Sequence, residues 1–140
     1  MSSNGKTIIL NHQQLQHTVK RIALQVYESF YQEKEIVLAG IDKSGYVFAE
    51  QLSSYLLDIS PIKVTLCRVQ IDKTDVFKPI ITSMSSKDYA NKSVVLVDDV
   101  LNSGRVLMYA VKHFLEVPLK EFKTAVLINR NHKRYPVKAD

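Results

Sequence analysis

The sequence predicts an α/β domain, a parallel β-sheet flanked by helices. Three observations carry that expectation. Short β-branched and aliphatic runs at Ile36–Ala39, Val94–Val97 and Phe122–Asn129 have the length and composition of buried strands. The first two are each followed by a loop of small or polar residues and then by apolar residues at helical spacing. A chain of 140 residues with 46% hydrophobic and 24% charged content suits a single domain over 1–140, large enough to bury a real core.

Taken in order, Thr7 to Leu10 reads as a short extended arm, and Asn11 with Gln14 as an N-cap and its partner. Leu15, Val19, Ile22, Val26 and Phe30 recur at spacings of four, three, four and four, which makes one helix face apolar. His12 and His17 fall on or near that helix and read as surface residues. After the strand at Ile36–Ala39 comes Gly40-Ile-Asp-Lys-Ser-Gly45, then an amphipathic helix to about Leu57. Pro61 breaks the chain, and Ile62 to Ile71 alternates as a strand would. Asp72 to Lys92 is polar, with Lys73, Lys78, Pro79 and a hydroxyl cluster at Thr82, Ser83, Ser85 and Ser86. The last strand candidate, Phe122–Asn129, runs into a basic segment, Arg130 to Asp140.

Composition narrows the function classes. The single cysteine, Cys67, forms no internal disulfide and reads as a buried strand residue, so a reducing cytoplasm is expected. No apolar run approaches membrane-spanning length, and the polar start lacks a signal-peptide core. A net charge of +5 suits a phosphorylated ligand and would suit RNA too. No nucleophile–histidine–acid constellation stands out.

The informative stretch is Val94–Leu107: Val-Val-Leu-Val-Asp-Asp-Val-Leu-Asn-Ser-Gly-Arg-Val-Leu. A strand is expected to end at the acidic pair Asp98 and Asp99. Turn formers Asn102, Ser103 and Gly104 follow, then a helix through Phe114. The first-turn amides of such a helix have no intrahelical acceptor, and its dipole favours an anion. Carboxylates do not bind phosphate directly, but they accept hydrogen bonds from sugar hydroxyls or hold hydrated Mg²⁺. Together these parts suit a sugar phosphate, with ribose on the acids and the 5′-phosphate on the loop. Response-regulator receivers also carry an acidic pair after a hydrophobic strand. There the strand opens the domain, whereas here only Val100 to Asp140 follow it.

This stretch resembles the phosphoribosyl-pyrophosphate (PRPP) motif of the type I phosphoribosyltransferases. The resemblance extends from Thr7 to Asp140 and is strongest to the pyrimidine-operon attenuators, which are also uracil phosphoribosyltransferases. Gly40–Gly45 compares with their Gly-Ile-x-x-x-Gly loop. Arg130-Asn-His-Lys-Arg-Tyr-Pro136-Val-Lys-Ala-Asp140 compares with their Arg-Gly-His-Arg-x-x-Pro-x-x-Ala-Asp segment.

The resemblance implies a Rossmann-like type I fold and a likeness in chemistry. Val100, Leu101, Asn102, Ser103, Gly104 and Arg105 would hold the 5′-phosphate. Asp98 and Asp99 would hold the ribose, directly or through Mg²⁺, and with Arg130 would form the catalytic set. Asp42, Lys43, Ser44 and Gly45 would form the pyrophosphate loop, and 72–92 a hood that closes over PRPP. Three departures stand out. Val106 replaces a threonine and removes a hydroxyl from the phosphate site. Asp42 sets a carboxylate beside a diphosphate. The aromatic-Arg-acid opening of the hood is not found. Relatives continue past the position of Asp140, which implies a minimal base site or a shortened chain.

The expected function is therefore Mg²⁺-dependent transfer of ribosyl 5′-phosphate from PRPP to a nucleobase, such as uracil, with release of pyrophosphate. The alternatives are a PRPP or nucleotide sensor with weak catalysis, and an RNA-binding attenuator. Against the last, Leu24 stands where the attenuators carry a first-helix histidine. A nucleobase or nucleoside monophosphate is the expected partner besides PRPP, and a homodimer the expected assembly, with no membrane association.

Overall fold

The computed structural model describes residues 12–72, 74, 75, 77–101 and 104–129. The elements run α1 (His12–Phe30), β1 (Glu35–Ile41), α2 (Ser44–Ile59), β2 (Lys63–Gln70), β3 (Ile81–Thr82), α3 (Ser86–Tyr89), β4 (Ser93–Leu101), α4 (Arg105–Phe114) and β5 (Glu121–Asn129). Among the described residues the five strands form one sheet in the order β3-β2-β1-β4-β5. The pairs β1–β2, β1–β4 and β4–β5 are parallel, as expected. The edge strand β3 is antiparallel to β2, through Val69↔Thr82 and Gln70↔Ile81, so the sheet is mixed and not wholly parallel.

Side-chain alternation along the strands builds a core on each face. Ile36 and Leu38 of β1 and Val95 and Val97 of β4 pack with α1 and α2, through Val19, Ala23, Phe30, Phe48, Leu52 and Leu56. The intervening Val37, Ala39, Val94 and Leu96 meet Leu107, Ala110 and Phe114 of α4 on the other face. β1 is apolar and fully buried from Ile36 onwards, because helices cover both of its sides. Tyr89, the last residue of α3, joins the α4 core and lies against Phe114, with ring centroids 4.9 Å apart.

The expected elements are found with shifted bounds. β1 runs past Ala39 to Ile41, and α2 reaches Ile59. β4 does not stop at the acids. It continues to Leu101, because the ladder with β5 continues through Val100↔Ile128 and Leu101↔Asn129. The segment 72–92 contains both β3 and α3. The extended arm at Thr7–Leu10 and the Asn11 cap lie outside the described residues. No described helix is long and apolar enough to cross a membrane.

The strand order creates a switch point. From β1 the chain crosses by α2 on one face to β2. From β4, on the other side of β1, it crosses by α4 on the opposite face to β5. The loops leaving β1 and β4 therefore diverge at the C-terminal edge of the sheet, which is where open α/β sheets bind ligands.

The opposite edge is closed by charge pairs. Lys120 Nζ lies 3.0 Å from Glu33 Oε2, Ser93 Oγ donates to Glu33 Oε1 at 3.2 Å, and Lys92 Nζ lies 3.1 Å from Glu35 Oε1. The Lys120 contact leads in holding the Glu33 carboxyl below its ordinary range.

Candidate functional site

Residues 42 and 43 link β1 to α2, and residues 102–104 link β4 to α4. Since β1 and β4 are neighbours in register (Gly40↔Val97), the two loops share one sheet edge. The start of α2 packs tightly on β4. A Cβ on Gly45 would lie 2.8 Å from the Val97 carbonyl oxygen, 3.1 Å from Asp98 Cα and 3.2 Å from Asp98 Oδ1. A Cβ on Gly40 would meet the Tyr46 Cα at 2.5 Å, so the first turn of α2 backs directly onto β1. Only glycine fits at either end of this loop.

Both helices start at this edge, and neither residue at the N-cap position, Lys43 or Gly104, makes a side-chain capping bond. Lys43 occupies the position before α2, exposed and in the α-helical region, and accepts the Val47 amide at 3.1 Å through its carbonyl. Gly104 precedes α4 with φ 82° and ψ −6°, the left-handed region that favours glycine, and its carbonyl accepts the Met108 amide at 2.9 Å. Neither helix carries an acidic residue in its first turn, which leaves the positive end of each dipole without an acidic side chain of its own helix.

The acids are not equivalent. Asp98 is 5% exposed, and its Oδ1 accepts the Asp99 amide at 2.9 Å. Asp99 is half-buried. Ser44 is exposed, Gly45 buried and Arg105 half-buried at the first position of α4. Val100 and Leu101 close β4, while Asn102, Ser103 and Arg130 lie outside the described residues.

Asp42 turns aside. Its Oδ1 lies 3.4 Å from Nη1 of Arg68, and its amide donates to the Val69 carbonyl at 2.8 Å. The Arg68 guanidinium also stacks 4.4 Å above the Tyr46 ring centroid. Sequence reasoning missed Arg68, Tyr46 and Ser83 as parts of this edge. The available signal was a lone arginine near the end of the β2 alternation. Its meaning depends on the register that sets Arg68 beside Gly40.

The hood segment is partly knit into the fold. Asp72 Oδ1 accepts the Thr74 hydroxyl at 2.7 Å, the Thr74 amide at 2.9 Å and the Asp75 amide at 3.1 Å. Those bonds, with Lys78 at 3.4 Å, hold the Asp72 carboxyl down at about 2. Lys78 is thus tied to the hood's own acid, and Lys73 lies outside the described residues. Cys67 is fully buried in β2, and burial pushes its thiol up, as expected of a strand residue.

Comparison with known proteins shows the family and the fold. The phosphoribosyl transferase domain family matches residues 5–140. The chain belongs to the phosphoribosyl transferase family. By family and by fold it is a phosphoribosyltransferase. Relatives include a protein named bifunctional protein PyrR of Actinobacillus pleuropneumoniae, 30% identical over 141 residues that cover 95% of this chain and 79% of that protein. The protein of the same name in Clostridium acetobutylicum is 32% identical over 148 residues, covering 98% and 82%. Among solved structures, a hypoxanthine-guanine phosphoribosyltransferase of Bacillus anthracis superposes with a TM-score of 0.80 at 25% identity, covering 94% of this chain and 76% of the other. The hypoxanthine phosphoribosyltransferase of Trypanosoma cruzi shares the fold, with a TM-score of 0.80 at 17% identity over 95% of this chain and 77% of its own.

Proposed function

We propose that this phosphoribosyltransferase binds PRPP at the β1–β4 switch point and transfers the ribosyl 5′-phosphate to a nucleobase, with uracil the first candidate. The observation that carries the reading is the packing of Gly45, in the first turn of α2, against Val97 and Asp98 of β4, the strand that leads into α4. Two anion-ready helix ends flanking a carboxylate pair match a ligand with a phosphate at each end and hydroxyls between them. In this reading 100–105 hold the 5′-phosphate, the amides of 43–45 receive the diphosphate, and Asp98 and Asp99 accept hydrogen bonds from the ribose.

The donor set fits Mg²⁺. That ion is held by one or two carboxylates together with water and substrate phosphates rather than by a protein cage. Among the described residues no cluster of three or more ligating side chains exists, so Asp98 and Asp99 would share the ion with the substrate's own oxygens. When bound, it would supply charge neutralisation of the departing diphosphate. The chain's residues hold the two phosphate ends apart and orient the sugar carbon toward the base. Of the 72–92 segment, the part from 81 on is held by β3, α3 and the buried Tyr89, so closure over the site, which would keep water from the cationic sugar, falls to 72–80.

The sequence grounds for a weak sensor included a carboxylate at the diphosphate, and the turn of Asp42 toward Arg68 removes that ground. Leu24, 51% exposed on α1, presents an apolar side chain where the attenuator resemblance expects a histidine, which disfavours the RNA reading. A homodimer is the assembly we infer from the family resemblance.

Calorimetric titration of PRPP with and without Mg²⁺ tests the site, together with pyrophosphate release against uracil, orotate, hypoxanthine, guanine and adenine. PRPP binding that needs Mg²⁺ and falls at least tenfold when Asp98 and Asp99 are both changed to Asn is expected. Unchanged affinity in that double variant would reduce the acids to a charged strand end.

A further inference from the structure

Asp42 sits inside the loop assigned to the diphosphate, yet its charge is of the wrong sign to touch one. Its surroundings give it a different task. The carboxylate faces Arg68 Nη1 at 3.4 Å, and its own amide is fixed to the Val69 carbonyl at 2.8 Å, so side chain and backbone both lean on β2. Arg68 is in turn held from three directions. Its guanidinium stacks on Tyr46 of the first turn of α2 at 4.4 Å. Its amide donates to Ser83 Oγ at 2.8 Å, and its carbonyl accepts the Ser83 amide at 2.9 Å. Ser83 follows β3, in the segment expected to act as the hood. One arginine thus ties together the diphosphate loop, the helix that the loop opens and the root of the hood.

We propose that Asp42 is a positioning residue: through Arg68 it tethers the diphosphate loop to the base of the hood and presets the loop amides of 43–45 for their anion. This deepens the PRPP-site reading and rests on it for the ligand. A guanidinium offers several N–H donors in a rigid fork, so one carboxylate contact and one stacked face fix its plane. Fixing that plane fixes the loop, and a loop held in its bound geometry binds more tightly because less order is lost on binding. The alternative, a carboxylate directed at the diphosphate, predicts the opposite sign for its removal.

The test is Asp42→Asn, Arg68→Met and the double variant, each titrated calorimetrically with Mg²⁺ and PRPP. A partly exposed ion pair supports only a modest effect, so Asp42→Asn is expected to weaken PRPP about two- to fivefold. The double variant should be no weaker than the worse single one, because both substitutions break the same link. Tighter binding by Asp42→Asn, or fully additive losses, would overturn the proposal. Hydrogen exchange without ligand separates this from failure of the PRPP reading. The amides of Val47 and Ser83 are expected to exchange faster in Asp42→Asn whether or not PRPP binds. Unchanged exchange at both would overturn the tether even in a protein that binds PRPP well.

Discussion

Replacing Gly45 with Ala probes the contact on which the site depends. The new methyl carbon would start 2.8 Å from the Val97 carbonyl oxygen and 3.1 Å from Asp98 Cα, both backbone atoms of a central strand. Reaching an ordinary contact of 3.4 Å requires a shift of about 0.6 Å, and neither neighbour can swing aside as a flexible side chain would. Forcing a methyl into such a space costs about 1–3 kcal/mol. Alanine recovers up to about 1 kcal/mol of that through its helix propensity. A net loss of about 1–2 kcal/mol in urea unfolding is expected. The effect on the ligand should be larger in proportion. A misplacement of about 1 Å can cost on the order of a hundredfold in a positioned site, so about 0.6 Å should weaken PRPP about tenfold. Calorimetry on the folded variant reads this directly. A variant as stable as the parent would show that the loop does not press on β4. One that loses stability but keeps its PRPP affinity would show that the loop lies outside the ligand site.

Two further outcomes concern single groups. Cys67, fully buried and with its thiol pushed up by burial, should resist a disulfide reagent at pH 8 and react promptly in denaturant; rapid reaction in the native protein would mean that β2 is not packed as described. For Asp72, a carboxyl held at about 2 by Thr74, Asp75 and Lys78 stabilises the hood turn in full above the ordinary carboxyl value, about 3.9, and loses that contribution as pH falls through about 2. The Thr74 amide shift, followed by NMR, should therefore titrate with a midpoint near the lower value, and a midpoint near the ordinary one would show those hydrogen bonds absent in solution.

Much of the architecture was readable because it is written in local periodicity. The four-three-four-four spacing from Leu15 to Phe30 marks α1, and Val94–Val97 must be a doubly covered strand, since β4 is buried on both faces. What escaped depends on pairing across the sheet. Two-residue β3 has no pattern of its own and exists through its bonds to Val69, Gln70 and Arg68. The end of β4 was misjudged because carboxylates read as strand breakers, whereas the ladder to β5 carries the strand past them. The same holds for the site. The glycine loop and the acidic pair were legible as motifs. Their contact, and the place of Arg68 beside Gly40 and Asp42, follow from strand order and register, which a single sequence does not state.

The charge pairs at the N-terminal strand ends have a practical consequence for handling the protein. Glu33, Glu35, Lys92 and Lys120 neutralise one another at that end, whereas the loops proposed to hold PRPP leave the other. Added salt acts on the two ends differently. Pairs already close together and partly exposed contribute little, so screening them changes the folded fraction little. Capture of a multiply charged diphosphate relies on longer-range attraction, which the same salt suppresses. On the proposed PRPP site, ionic strength would therefore be a lever that strips bound phosphates while leaving the chain folded, and purification buffers would set how much ligand is carried into a later assay.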